Sequence, residues 1–467
     1  MASAPNVIVC LCDQLRAFEV GCYGHPSIST PHLDRLAAEG VRYEIAVTNN
    51  PVCTPARCCM LSGQYSRTCT GDLANTNALW PNATRSKLPD PLLPERFRDA
   101  GYETGLIGKW HVWDDPLKCG FDSAVYPKII HRHYDQEYVQ DAGDPFVVHE
   151  FGPDFEGRRL ASWLGRKRDQ PFFLYYNISQ PHMPVGRDNA PPHYLHRYHR
   201  DDLPLRPNVY VDGKMADDRE WFLIYNDPDY WYRMWKGEPR RPTDTMPDDY
   251  DLRQLTADYA GLVTCCDDQV GVLMALLREH SLDDNTIVVF ASDHGDNLGS
   301  HHQFNKQLMI EESIRVPMIF WSPNQLKPIT NHAQVAQIID VAPTLLDLAG
   351  LDPSSHMQGR SLRPTMHARD AELSENWAFI ESPSLQVGVR TPTHTYAATI
   401  EGNRGGIVDD RFQCFDNVRD PYQQHNLVES STDNAIIDSL RERLTSWHDA
   451  TPWMEPDAAM PDQSTER

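Results

Sequence analysis

The chain has 467 residues, with 43 Lys+Arg against 66 Asp+Glu for a formal charge of −23, and it is 40% hydrophobic and 23% charged. This composition is that of a globular protein, not a disordered or fibrous one. The acidic balance argues against a nucleic-acid or anionic-membrane partner, since it repels a phosphate backbone at long range, yet it leaves room for a local basic pocket that takes a small anion.

No apolar run approaches the roughly 18–20 residues of a bilayer span. The first residues, Met1 to Asn6, have no basic region, and the apolar run 7–12 behind them is too short for a signal-peptide core. The expectation is a cytoplasmic protein, or a periplasmic or secreted one if a leader has been removed. Eleven cysteines, among them the adjacent pairs Cys58-Cys59 and Cys265-Cys266 and no C-x-x-C, suit reduced and mostly buried thiols better than a disulfide framework or a zinc site. Sequons stand at Asn82 and Asn177, the latter beyond what reads as a buried strand. Nothing in the sequence specifies an oligomeric state.

Short apolar runs at 7–12, 172–176, 286–291 and 316–321 read as strands buried on both faces. A helix begins at Thr30-Pro31, with Thr as N-cap and Pro at the first helical position. It carries Leu33, Leu36 and Ala37 on one side and stops at Gly40. A long helix covers 252–280, with Leu255, Leu262, Cys266, Val270, Leu273 and Leu277 at helical spacing. Alternating strands and helices predict an α/β fold with a large, mostly parallel sheet flanked by helices. Residues 187–250 interrupt the rhythm with 11 aromatics in 64 residues. After about 370 shorter alternating segments (386–391, 394–400, 413–416) and a helix near 434–447 predict a small antiparallel C-terminal subdomain, closed by a polar tail from about Thr451. The expected organisation is a catalytic domain 1–370 that includes the insertion, followed by 371–467.

Polar residues of a particular kind follow four predicted strands. Run 7–12 leads to Asp13-Gln14, 105–108 to Lys109-Trp110-His111, 172–176 by a short loop to His182, and 286–291 to Asp293-His294-Gly295-Asp296. Ligands of open α/β sheets bind outside the carboxyl ends of the strands, so these groups converge on one site. Asp13, Gln14, Asp293 and His294 make a mostly oxygen-ligated divalent site, which suits Ca²⁺, Mg²⁺ or Mn²⁺ better than zinc; taken alone, Asp293-His294-Gly295 also reads as a plain turn. In the segment Cys53 to Gly63, Pro55 marks a first helical turn and Gly63 a stop. Cys53 then lies at a helix N-terminus, which favours an anion, with Arg57 on the same face. Spacing alone does not choose between a thiolate nucleophile and a buried cysteine before a short helix.

The pattern Cys53-x-Pro55-x-Arg57 followed by Leu61-x-Gly63 resembles the signature of the type I sulfatases, a branch of the alkaline phosphatase superfamily. Other blocks agree in order: Asn6 to Val9 with Asp13 and Gly21 to Gly24, Gly101 to Gly105, Gly108 to His111, Asp293 to Asp296, Lys306, Glu311 to Pro317, Asp340 to Thr344, and the Asp-Pro-Tyr segment within 416–427. The resemblance spans nearly the whole chain except 187–250. It implies a maturation enzyme that oxidises Cys53 to formylglycine (3-oxoalanine), whose hydrate is the nucleophile. It further implies one divalent metal, Ca²⁺ by expectation, held by Asp13, Gln14, Asp293 and His294 and touching the Cys53-derived group. Arg57 would orient the hydrate, Lys109 and Lys306 would bind the oxygens of a small anionic sulfate ester, and His182, with Lys306, would protonate the leaving oxygen. His111 would take a proton from the second hydroxyl, expelling sulfate and regenerating the aldehyde; a serine would have no second hydroxyl to collapse.

The chain departs from many such sequences in carrying Asp13-Gln14 instead of two aspartates. That version also occurs in relatives that hydrolyse phosphonate monoesters and phosphodiesters, which stand as the alternative reading. Ala56 replaces a common Ser with little expected effect on maturation. A binding protein on a dead scaffold is disfavoured because Cys53, Arg57, Lys109, His111, His182, Asp293 and Lys306 are all present. His301 and His302, although near Lys306, are left outside the catalytic set. In the insertion, Tyr194, Arg197, Trp221, Tyr225, Trp231, Trp235, Arg240 and Arg241 either wall the pocket and stack on a substrate ring or pack the insertion's own core.

Overall fold

The computed structural model describes residues 4–454 apart from 76–87, 89–90, 113, 129–130, 187, 403 and 431–433. The sequon at Asn82 and the tail beyond 454 lie outside the described residues. Along the first strand, β1 (Asn6–Asp13), every residue is buried. Side chains alternate across a strand, so Val7, Val9 and Leu11 enter one core, while Ile8, Cys10 and Cys12 enter the core on the opposite face. A sheet buried on both faces follows, with helices covering each side.

The remaining strands of that sheet are β2 (Val41–Val47), β3 (Glu103–Gly108), β4 (Ser123–Pro127), β5 (Gln136–Gln140), β6 (Phe146–Val148) and β7 (Phe172–Pro181). After the small hairpin β8 (Tyr210–Val211) and β9 (Lys214–Met215) come β10 (Thr286–Ser292), β11 (Met318–Trp321) and β12 (Ile329–Gln337). Ten strands lie in the order β12-β2-β11-β10-β1-β7-β3-β4-β5-β6. The centre is parallel, β10, β1, β7 and β3 running the same way. Strand β11 runs antiparallel to both neighbours, and β4-β5-β6 form an antiparallel margin.

The helix at Thr30 forms as Pro31–Glu39, but Thr30 does not cap it. Its Oγ1 lies 3.1 Å from Asp34 Oδ1, and the first N–H groups are taken instead by Asp267, whose carboxylate accepts from His32 and Leu33 at 3.2 and 2.7 Å. Asp267 belongs to the helix Leu252–Glu279, capped by Asp251. By length and hydropathy alone this 28-residue helix could cross a membrane, contrary to the expectation that no segment approaches that criterion. Its most apolar stretch is 72% buried inside the protein, as suits a core helix packed on β7.

A second sheet joins β13 (Ala378–Ser382), β14 (Gln386–Arg390), β15 (His394–Ile400) and β16 (Ile407–Asp416), all antiparallel. The helix Asn434–Ala450 lies against it, with Trp447 stacked on Phe379 at 4.7 Å. Ile45, Val47 and Val335 of the larger sheet share a small core with Ala378, Ile380 and Ala397 of this one, and Arg67, fully buried, pairs with Glu381 of β13 at 2.5 Å. None of the eleven cysteines forms a disulfide.

Candidate active site

The four parallel central strands deliver their carboxyl ends to one edge. Asp13 closes β1, Lys109 follows β3, and Asp293 follows β10. Strand β7 runs on to Pro181, so His182 follows it directly and not through a loop. Gly108 makes the turn at Lys109 possible: its φ is +88°, and a Cβ there would meet the Asn177 carbonyl oxygen at 1.9 Å. The helix Cys53–Ser62 begins with the cysteine itself and ends at Gly63, whose φ of 68° closes it in the left-handed conformation.

Arg57 organises the floor. Its guanidinium reaches Asp13 Oδ2 at 2.9 Å, Asp293 Oδ2 at 3.1 Å, Asn177 Oδ1 at 3.0 Å and the Lys109 carbonyl at 3.1 Å. Asn177 therefore serves as a buried acceptor for Arg57. Lys109 also ion-pairs with Asp13 and lies fully buried beneath the cavity. Around the Cys53 sulfur stand Lys306 Nζ at 2.9 Å, His294 Nε2 at 3.2 Å and Asp13 Oδ1 at 3.8 Å, with His111 close enough to help lower the thiol's pKa.

Burial disfavours charge here, and the partners outweigh it. Burial and Cys53 push the Asp13 carboxyl up, but Lys109, His182 and Arg57 hold it well below the usual range. Burial likewise raises the Cys53 thiol, yet Lys306, Lys109 and His294 bring it well below its ordinary value. Burial and Lys109 lower His111 to about 4, and burial and Lys306 lower His182 to about 3, so both rings are neutral at pH 7. His182 Nδ1 lies 2.5 Å from the Met183 carbonyl, which fixes Nδ1 as the protonated nitrogen and leaves Nε2 to accept from Lys306 at 3.1 Å.

The donor set fits a divalent cation. Asp13, Cys53, Asp293 and His294 are buried and offer ligand atoms within 4.8 Å of one another. His294 Nδ1 faces the Gly295 carbonyl at 2.9 Å, so its Nε2 lone pair points into the cluster. Gln14, held at φ 63°, donates its amide nitrogen to Asp296 at 2.6 Å and thereby turns Oε1 inward, where Lys306 Nζ meets it at 3.2 Å. The Lys306 ammonium thus bonds Gln14, Cys53 and His294 together, a cation standing among the expected ligands. Asp296 is itself set by the Tyr225 hydroxyl at 2.7 Å. Its place in the Asp293 to Asp296 block was visible in the sequence; Tyr225 was named only among the insertion's aromatics, and Asn177 only as a sequon.

Over this floor lies a cavity of about 790 Å³ lined by His111, His182 and Lys306, among others. Its wall comes from the insertion, whose aromatics divide. Tyr194, Phe222, Tyr225, Tyr230 and Tyr250 are buried in the core, whereas Trp221, Trp231, Tyr232 and Trp235 line the cavity. The three arginines singled out there do not line it: Arg197 is exposed, Arg240 pairs with Glu220 at 2.7 Å, and Arg241 lies 3.8 Å from Glu238. His301 faces Asn208 at 3.2 Å and His302 the Lys214 carbonyl at 2.7 Å, both away from the cavity.

A family model described as Sulfatase matches residues 5–351, and one described as N-sulphoglucosamine sulphohydrolase, C-terminal, matches 299–450. The chain is 28% identical to an N-acetylglucosamine-6-O-sulfatase of Bacteroides thetaiotaomicron, covering 78% of this chain and 71% of that protein. It is 30% identical to an ulvan-active sulfatase of Formosa agariphila over 94% of this chain and 80% of that one. Among solved structures, one in complex with its substrate D-glucosamine-2-N,6-O-disulfate superposes with a TM-score of 0.76 at 23% identity, covering 98% of this chain and all of that one. The chain belongs to the sulfatase family, in the alkaline-phosphatase-like fold, and is a sulfuric ester hydrolase.

Proposed function

We propose that the protein hydrolyses the sulfate ester of a carbohydrate through a formylglycine made from Cys53, with Ca²⁺ at Asp13, Gln14, Asp293, His294 and the Cys53-derived group. The observation that carries this reading is the setting of Cys53, at a helix N-terminus among Lys306, His294 and Asp13, under a cavity walled by tryptophans. Sugar rings stack on such walls, and the two curated relatives are named for carbohydrate sulfates.

When bound, the cation would neutralise charge on the ester and favour ionisation of the attacking hydroxyl. The remaining work falls to the chain. Arg57, locked to two carboxylates, fixes the orientation of residue 53. Lys306, at the cavity surface, binds a sulfate oxygen, and Lys109 adds positive potential from beneath. The Lys306–His182 pair supplies the proton that the departing alcohol needs. His111, neutral and beside residue 53, is placed to accept the proton whose removal releases sulfate and restores the aldehyde.

Gln14 supports a second reading, phosphonate monoester or phosphodiester hydrolysis, because an amide where a carboxylate is common leaves the site more positive. One aryl leaving group offered as its sulfate, phosphonate monoester and phosphodiester to matured protein separates the two. Dominant sulfate turnover that vanishes in Cys53→Ala supports the proposal. Dominant phosphonate or diester turnover promotes the second reading, and activity surviving Cys53→Ala sinks the nucleophile assignment.

A further inference from the structure

Between the tryptophan wall and the catalytic floor stands a residue that no motif of the sequence marks. His131 lies on the segment between β4 and β5, and its ring stacks on His182 at 3.7 Å with an interplanar angle of 18°. Trp231 also packs against it, with centroids 4.7 Å apart and ring planes at 77°. The side chain is only 5% exposed, lines the cavity, and its Nδ1 has no hydrogen-bond partner among the described residues. A buried polar atom without a partner is uncommon and calls for an explanation, such as a ligand that satisfies it.

The position of His131 is built. Asn189 donates to the His131 carbonyl at 3.2 Å and to the Pro184 carbonyl at 2.8 Å, and accepts from the His133 N–H at 2.9 Å. One buried amide thus ties the His131 segment to the segment that carries His182. Burial, His182 and Lys109 keep the ring neutral, so it has one donor and one acceptor nitrogen to offer.

We infer that His131 is a specificity-determining residue that hydrogen-bonds an oxygen on the carbon next to the sulfated one, so that the substrates are sulfates of sugars or polyols and not of plain rings. The inference rests on the proposed function, in which His182 stands beside the leaving oxygen. Two imidazoles stacked at 3.7 Å present their edges to two neighbouring oxygens of one molecule. His182 bonds Lys306, whereas His131 lies one ring further out and meets the next oxygen along. A site that pairs a substrate oxygen in this way rejects an analogue lacking it, because its own buried polar atom is then left unpaired.

The test compares trans-cyclohexane-1,2-diol monosulfate with cyclohexyl sulfate, which differ only in the neighbouring hydroxyl. The matured wild type is expected to favour the diol ester at least tenfold in kcat/KM. His131→Phe, which keeps an aromatic ring on His182 but has no nitrogen, should bring that ratio to about one. His131→Asn, which restores a polar atom, should recover part of it. A wild-type ratio near one, a preference that survives His131→Phe, or equal losses on both esters in both variants would each overturn the inference. Absence of sulfate release by the matured wild type from both esters and from sulfated disaccharides would instead overturn the function on which it rests.

Discussion

On the floor of the cavity, Asp13, Arg57, Lys109, Asp293 and His294 are each 0% exposed, while Trp235 at the rim of the wall is 68% exposed. The floor is held from four strand ends and one helix start, and each charged group has at least one opposite partner there. The wall is a pair of short helices, Arg219–Asn226 and Pro228–Trp235, whose ion pairs run from the largely buried Arg233–Asp244 to the half-exposed Arg240–Glu220. The contrast teaches where each task resides. Chemistry on a sulfuryl group needs charges preorganised out of water, whereas selection of the alcohol needs surface that varies without disturbing them.

The sharpest way to break this comparison is to remove one arginine from each region. Arg57→Ala leaves Asp13 and Asp293 buried side by side without their shared cation, and is expected to cost about 3–5 kcal/mol of stability in urea unfolding as well as most of the activity. Arg240→Ala removes an ion pair whose side chains are about half exposed, 50% and 44%, and should change stability by less than about 1 kcal/mol. Similar costs for the two would mean that the floor is not electrostatically organised in the way its geometry indicates. Metal linkage acts next in size. After chelation, Ca²⁺ at a hundredfold excess over its Kd should restore about 2.7 kcal/mol, read as a rise in Tm. Mg²⁺ or Mn²⁺ giving the larger rise would reassign the ion, and the shift should be the same in Trp235→Ala, since the wall holds no ligand.

The floor was legible in the sequence and the wall was not, for physical reasons. Asp13, Lys109 and Asp293 follow apolar runs that can only be buried strands, so their position at the strand ends is fixed by the runs themselves. Strand direction is not written in an apolar run, which is why the antiparallel setting of β11 could not be read. Strand β13 went unread because its buried apolar run ends in Glu381, a carboxylate held in place by distant groups, the Arg67 guanidinium and the Ser66 hydroxyl. Thr30 was expected to cap its helix, but tertiary packing brought Asp267 to the same N–H groups. Along 187–250, aromatics destined for core and cavity alternate without a period, and only the fold sorts Tyr225 from Trp231.

The wall also has a titrating support. Asp258, on the long helix beneath the insertion, accepts from Tyr250 and Gln254 at 2.9 Å each, and burial raises it to about 6. A carboxyl whose folded value exceeds the unfolded one of about 3.9 contributes stability that is complete below that lower value and is lost as pH rises through about 6. Asp258→Asn removes the dependence. It should match wild type below about pH 4 and exceed it by about 2–3 kcal/mol at pH 8 in denaturant melts. A variant less stable than wild type at pH 8 would show that the ionised carboxylate is wanted there.

The smallest expected effect is also the most selective. Trp235 stacks parallel to Trp231 at an interplanar angle of 7° with centroids 6.2 Å apart, and both rings line the cavity, Trp235 at its exposed mouth. An aryl sulfate small enough to sit against Trp231 ends before reaching Trp235, whereas a sulfated disaccharide extends its second ring over it. Loss of one such stacking contact is worth about 1 kcal/mol, or about fivefold. Trp235→Ala should therefore raise KM about fivefold for a sulfated disaccharide, and far less for 4-nitrophenyl sulfate, with kcat for the disaccharide held because the floor is untouched. Equal changes on both substrates would mean that Trp235 acts through the packing of its helix, and the division of labour between floor and wall would have to be redrawn at Trp231.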